Sequence, residues 1–202
     1  SEKMDVVTTA EVPVVFSVLK GHDSVILAAT SRANNINRVV ARRDQGVVVP
    51  ADLSGKRVAT QRGSAVHFFL HLFLMEHGVS EESLSLTFQN AEQLPVSLVK
   101  GSIDAFSMRE PYISEARNLL GDDAIVFHAS GAYNQVDVVV AANALLESKP
   151  HLAQRFIKGL LLSERFVANH TDDALAMVSP RPQAPHTTVT RHLPRAPPDP
   201  HT

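Results

Sequence analysis

Apolar and polar positions alternate along this chain in stretches of two kinds, one with a period of two and one with a period near 3.6. The first kind predicts short strands at Met4–Thr8, Ser24–Thr30, Asn37–Arg43, Lys56–Thr60, Leu84–Gln89, Ile103–Ser107, Ala124–His128 and Gln135–Ala141. The second predicts helices at Val12–Lys20, Ser64–His77, Ala91–Lys100 and Pro111–Leu120. A helical remainder follows at Asn143–Ser148, His151–His170 and Asp172–Val178. Gly21, Gly78, Gly101 and Gly121 stand where the first four helices stop, the usual place for a residue that tolerates the left-handed region.

From residue 56 to 128 the order is β-α-β-α-β-α-β, the pattern of an α/β domain with a mainly parallel sheet. The flanks carry strands and helices but no second complete domain in one piece. The economical arrangement is a two-lobed α/β protein, each lobe a mainly parallel sheet flanked by helices. Residues 1–43 and 135–178 make a discontinuous and incomplete first lobe, and 56–128 make the second. The stretches 44–55 and 129–134 are then the hinge crossings.

Two segments echo each other without a gap, Asp5-Val-Val-Thr-Thr-Ala-Glu11 and Asp104-Ala-Phe-Ser-Met-Arg-Glu110. Each runs from a strand into a helix that starts near a proline, Pro13 or Pro111. Either the preferences of strand–helix junctions coincide, or two similar lobes each present a strand end to a shared cleft. Ligands of α/β sheets bind beyond the carboxyl ends of strands, so both segments are then ligand loops.

Composition narrows the function. The net charge is −2, so no overall basic field calls for nucleic acid or an acidic membrane. There is no cysteine, which removes disulfides, thiolate metal sites and thiol catalysis. No apolar run reaches the length of a membrane span, and no signal-peptide pattern is visible at the start. Seven of the 12 prolines fall after Ser179. This Pro-rich stretch, 179–202, lacks apolar periodicity and is expected to be a disordered tail or an out-of-frame terminus.

The junction Arg62-Gly63-Ser64-Ala65 joins a strand to a helix. Gly63 permits close backbone approach, and Ser64 is placed as the helix cap. The free N–H groups of the helix start suit an anion, although any capped helix shares these features. Ser64, His67 and His71 form the only polar stripe of that helix. His67 and His71 are spaced for zinc, but no third ligand is evident, so His67 is expected to face the cleft and no metal or cofactor is implied. Glu110 follows Arg109 at a strand end with no second catalytic group. No catalytic residue is therefore assigned.

Taken together, Asp52-Leu-Ser-Gly-Lys-Arg-Val-Ala-Thr60, Arg62-Gly-Ser-Ala65, Leu98-Val-Lys-Gly-Ser-Ile-Asp-Ala-Phe106 and Glu110-Pro-Tyr112 resemble the substrate-binding proteins of nitrate/sulfonate/taurine-type ABC transporters. The related thiamine-pyrimidine (NMT1/THI5-like) proteins share the pattern. Glu147–Phe156 and Asn169–Leu175 continue the likeness. It implies two lobes of the periplasmic-binding-protein type, a hinge, and a small anionic or polar solute held between them. It also implies a monomer, delivery to a membrane permease, no nucleic-acid partner, no direct membrane insertion, and a periplasmic or cell-surface location. By the same likeness Thr8 and Thr9 belong to the first-lobe ligand loop. Gly63, Ser64, Ala65 and His67 belong to the second-lobe helix start, and Arg109 and Glu110 to its strand-end loop. Family members often carry an aromatic residue where Arg109 stands, and their first lobe begins with a strand–helix–strand unit that this chain does not show. Two alternatives use the same scaffold: the effector-binding domain of a transcription regulator, and a small-metabolite enzyme with His67 and Glu110 as acid and base.

Overall fold

The structure, a computed structural model, describes residues 4–129, 131 and 133–178; the Pro-rich stretch 179–202 lies outside the described residues. The chain divides into two compact units, Ser1–Ala142 and Asn143–Thr202. In the first unit the chain runs β1 (Val6–Ala10), α1 (Glu11–Leu19), β2 (Ser24–Ala33), β3 (Arg38–Arg42), β4 (Arg57–Thr60) and α2 (Ala65–Glu76). It continues β5 (Ser85–Phe88), α3 (Leu94–Val99), β6 (Ala105–Met108), α4 (Tyr112–Leu120), β7 (Ala124–Phe127) and β8 (Gln135–Ala142). Every strand and helix that the apolar periodicity predicts here is present, with ends displaced by up to a few residues. The second unit is helical among its described residues: α5 (Asn143–Ser148), α6 (Pro150–Asn169) and α7 (Thr171–Val178). Pro150 opens α6, where its missing N–H costs nothing.

The larger sheet has the order β5-β4-β6-β3-β7. β5, β4 and β6 pair in parallel, and β3 runs antiparallel between β6 and β7. Both faces are covered, and strand alternation assigns the residues to them. Val39, Ala41, Val58 and Ala105 pack with Phe69, Phe73 and Leu74 of α2. Val40, Ala59 and Phe106 pack on the opposite face with Leu94 and Leu98 of α3 and with Ile113 and Ala116 of α4.

Asp104 joins β4 to β6 at their starts. Its carboxylate accepts from the Arg57 backbone N–H (2.9 Å) and from the Arg57 guanidinium. This partner holds the Asp104 carboxyl below the usual carboxylate range.

Hydrogen bonding corrects two expectations. The strand expected at 37–43 belongs to the larger sheet rather than with the N-terminal strands, since β3 pairs only with β6 and β7. Its sequence, Arg-Val-Val-Ala-Arg, is apolar on both faces and fits the centre of either sheet, so local pattern could not choose. The chain therefore crosses from one sheet to the other at residues 34–37, between β2 and β3, and returns between Phe127 and Gln135. The stretch 44–55 is no crossing. It holds two short turns, Arg43–Gln45 and Pro50–Leu53. The Asp52 carboxylate accepts from the N–H groups of Val48 and Val49 (both 2.9 Å), and Leu53 is buried in the core.

The second correction concerns strand direction. The smaller sheet, β1-β8-β2, is antiparallel throughout. β1 and β2 run parallel to each other, as a strand–helix–strand unit requires. β8 arrives from far later in the chain, lies between them and reverses both pairings. Helix α1 covers one face of this sheet, with Val14 packed on Val138 and Val140.

Phe73 is fully buried and its ring meets Phe69, His77 and Phe127. Phe73→Ala is expected to lower the unfolding free energy by about 3–5 kcal/mol, as measured by urea denaturation.

Candidate functional site

The carboxyl ends of β4 and β6 define the site. β4 ends at buried Thr60, and Gln61-Arg62-Gly63-Ser64 turns the chain into α2. Gly63 has φ of +67°, and a Cβ added there would meet nothing within 4 Å; backbone conformation rather than space calls for glycine. The Ser64 hydroxyl donates to the Gln61 carbonyl (2.6 Å), and Ser64 Oγ accepts from the His67 N–H (3.3 Å). That is the cap read from the sequence. Ala65 is buried in the core. Of the first-turn N–H groups, that of His67 is taken up by Ser64; the turn as a whole sits at the positive end of the α2 dipole.

Two buried hydroxyls bring the β6 loop beside this turn. Ser107 Oγ donates to the Val66 carbonyl (2.8 Å), and Thr60 Oγ1 donates to the Ser107 carbonyl (3.3 Å). Arg109 and Glu110 therefore follow β6 next to the first turn of α2, and both are exposed. Glu110 Oε2 accepts from the Ser114 N–H (3.0 Å) and caps α4. Arg109 makes no hydrogen bond or ion pair among the described residues. Its charge reaches the hydroxyls of Tyr112 and Tyr133 and opposes the upward push on both phenols.

The polar stripe on α2 finds its partner in Glu81, in the turn before β5. His71 Nδ1 lies 3.0 Å and His67 Nε2 3.9 Å from the Glu81 carboxylate. The Gly63 N–H makes a long contact to His67 Nδ1 (3.4 Å). His67 also meets the Phe88 ring edge-on at 5.0 Å, and the Arg62 guanidinium lies 3.8 Å over that ring. His67 thus turns toward Glu81 and Phe88, whereas the sequence placed it toward the cleft. Burial lowers its pKa, with Arg62 and His71 adding to the effect and Glu81 opposing it. Among the described residues no group of three His, Asp or Glu side chains is placed to hold a metal ion.

Thr8 and Thr9 lie elsewhere. Both fall inside β1 rather than in a loop, because α1 begins directly after Ala10. Thr8 is exposed. Thr9 lines a cavity of about 310 Å³ together with Val7, Pro13, Val14 and Val140. Neither Gly63, Ser64, Arg109 nor Glu110 lines that cavity. The residue that stands at the carboxyl end of β1 is Glu11. Glu11 Oε1 accepts from the Tyr133 hydroxyl (2.7 Å) and Oε2 from the Val136 N–H (3.0 Å). Glu11 was legible as the counterpart of Glu110 in the repeated segment. Tyr133 carried no sequence signal, since it sits in an irregular stretch without periodicity.

Among the described residues the arrangement shows no nucleophile–base pair. It offers peptide N–H groups, a helix dipole and two arginines at the carboxyl edge of parallel strands, which is the chemistry of anion binding in a two-sheet α/β protein. Comparison with known proteins gives the family and the fold. The family model described as NMT1/THI5 like matches residues 1–174, and the chain belongs to this family. A protein of Escherichia coli (strain K12), named for binding aliphatic sulfonates, is 22% identical over 201 residues. That match covers 96% of this chain, and the chain spans about 61% of the relative's length. The alkanesulfonate-binding protein SsuA from Xanthomonas axonopodis pv. citri, solved bound to MOPS, superposes with a TM-score of 0.79 at 19% identity. It covers 96% of this chain and 67% of its own. The desulfurization enzyme DSZB has the same fold, with a TM-score of 0.64 at 14% identity over 95% of this chain and 73% of its own. At these identities the solved structures establish the fold: two α/β lobes of the periplasmic-binding-protein type. No helix among the described residues is long and apolar enough to cross a membrane.

Because the folded pKa of His67 lies below the ordinary 6.5, the unfolded chain takes up that proton more readily. The His67 contribution to stability is complete above about pH 6.5 and is lost as pH falls through the folded value. His67→Gln is expected to shrink the difference in urea midpoint between pH 7.5 and pH 5.5. A histidine NMR titration should place His67 below the exposed histidines.

Proposed function

We propose that this protein is the solute-binding component of an ABC importer and takes a small sulfonate or a similar oxyanion at the edge formed by residues 62–67 and 109–110. One observation carries the reading. The Ser107–Val66 hydrogen bond sets the first turn of α2 beside the β6 loop that continues into Arg109, which supports a site at the edge where α/β sheets take ligands. The sulfonate named for two of the relatives is an oxyanion of the size and charge this edge suits. On this reading Gly63, Ser64, Ala65 and Arg109 meet the solute, the partner is a membrane permease, the location is periplasmic or cell-surface, and no chemistry is performed on the solute.

Thermal-shift and calorimetric titration with ethanesulfonate, taurine, nitrate and a pyrimidine tests it. Saturable binding of at least one anion is expected. Arg109→Gln should weaken it by about tenfold, the loss of one charge-assisted hydrogen bond. The absence of a response to every one of these solutes rejects the reading. A second reading, an enzyme on this scaffold, draws on the fold shared with DSZB. It requires turnover of an organosulfur compound that His67→Ala abolishes.

A further inference from the structure

Tyr133 sits on the return crossing between β7 and β8, in irregular backbone, yet it is only 7% exposed. Its ring packs edge-on against Phe68 of α2, with centroids 5.4 Å apart and planes at 80°. Its hydroxyl donates to Glu11, which also holds the β8 backbone through the Val136 N–H. This side chain therefore contacts two residues far from it in sequence, Glu11 and Phe68, and Glu11 carries the contact on to the β8 backbone. The two lie at the carboxyl end of β1 and on α2, whose first turn and the loop before it hold Gly63 to His67.

Packing alone does not explain this choice of residue. Tyr133 shares its apolar cluster with Ala10, Val12 and Phe69, and a phenylalanine ring fills that space equally well. A buried phenol instead obliges the protein to supply an acceptor, and Glu11 spends one of its two carboxylate oxygens on it. What the hydroxyl adds is direction. It fixes the ring against Glu11, and the ring in turn fixes Phe68. Burial first, then the Glu11 carboxylate, hold the phenol far above its ordinary pKa, so it is a protonated donor at neutral pH. The neighbouring charge of Arg109 reaches the same hydroxyl, which puts Tyr133 within electrostatic range of the proposed anion edge.

We propose that Tyr133 is a positioning residue of the binding site, setting the separation between the β1–α1 junction and the first turns of α2 through Glu11 and Phe68. This rests on the anion-binding reading above. It predicts that the hydroxyl, and not only the ring, controls how long the anion stays bound.

The chain has no tryptophan and two tyrosines, so Tyr112→Phe leaves Tyr133 as the sole source of tyrosine fluorescence. In that background, ethanesulfonate is expected to change the Tyr133 emission, saturating at the concentration that calorimetry gives. Tyr133→Phe is expected to raise the ethanesulfonate Kd about tenfold, mainly through faster release, while Tyr112→Phe stays within twofold of the wild type. Glu11→Gln removes one acceptor from the other side of the contact. It should raise Kd three- to tenfold, and it carries the test where Tyr133→Phe does not fold. In the double variant the two effects should not add. A lowered melting temperature with Kd within twofold in Tyr133→Phe, or saturation that leaves Tyr133 emission unchanged, makes the residue structural only and overturns the proposal. A wild-type chain that binds none of the anions overturns the binding reading, and this inference with it. A wild type that binds with variants that bind equally well overturns this inference alone.

Discussion

The first unit depends on a single buried amide pair. Asn37 stands where the chain leaves the smaller sheet for the larger, and Gln135 where it comes back. The Asn37 amide donates to Gln135 Oε1 at 3.1 Å, and the two residues are 4% and 2% exposed. Gln135 passes the contact on to the Asp137 carboxylate (2.9 Å), which also accepts from the Ser31 hydroxyl (2.8 Å). Both crossings and the central strand of the smaller sheet are thus tied into one polar ladder. A buried amide without a partner costs about 1–3 kcal/mol, so the crossings are held in register by what their separation would expose. β3 follows Asn37 into the larger sheet, and Gln135 opens β8, the centre of the smaller one.

Elements were legible in the sequence, and pairings were not. Glycines closed the helices and alternation marked the strands because both signals are local. Strand partnership is a long-range property. Arg38–Arg42 reads as a buried strand in any sheet, and only its bonds to β6 and β7 place it. The same limit hid β8 between β1 and β2, so the smaller sheet was expected to be mainly parallel.

The site divides along the same line. Gly63 and Ser64 were readable because a turn that needs positive φ and a helix that needs a cap leave residue-specific marks. Arg109 and Glu110 were found through the repeated segment, which also contains Glu11. The echo is only partial in chemistry. Asp104 is buried and paired to Arg57, whereas Asp5 is exposed. Glu110 caps its own helix, whereas Glu11 reaches across the chain to Tyr133 and Val136. Thr8 and Thr9 were misplaced because no loop separates β1 from α1. Tyr133 was invisible because both of its partners, Glu11 and Phe68, belong to helices formed much earlier in the chain.

The interposed strand also sets an order of events in synthesis. β1 and β2 are complete once Ala33 has been made, but neither pairs with the other. The strand that joins them ends only at Ala142, after the whole of the larger sheet. At about 5–20 residues per second, that is a wait of roughly 5–20 s on the ribosome. During this time the larger sheet can close around β3 while β1 and β2 both wait for the strand that lies between them. The smaller sheet is therefore the last part of the first unit to form, and its two outer strands are the segments most in need of protection from other chains until β8 arrives.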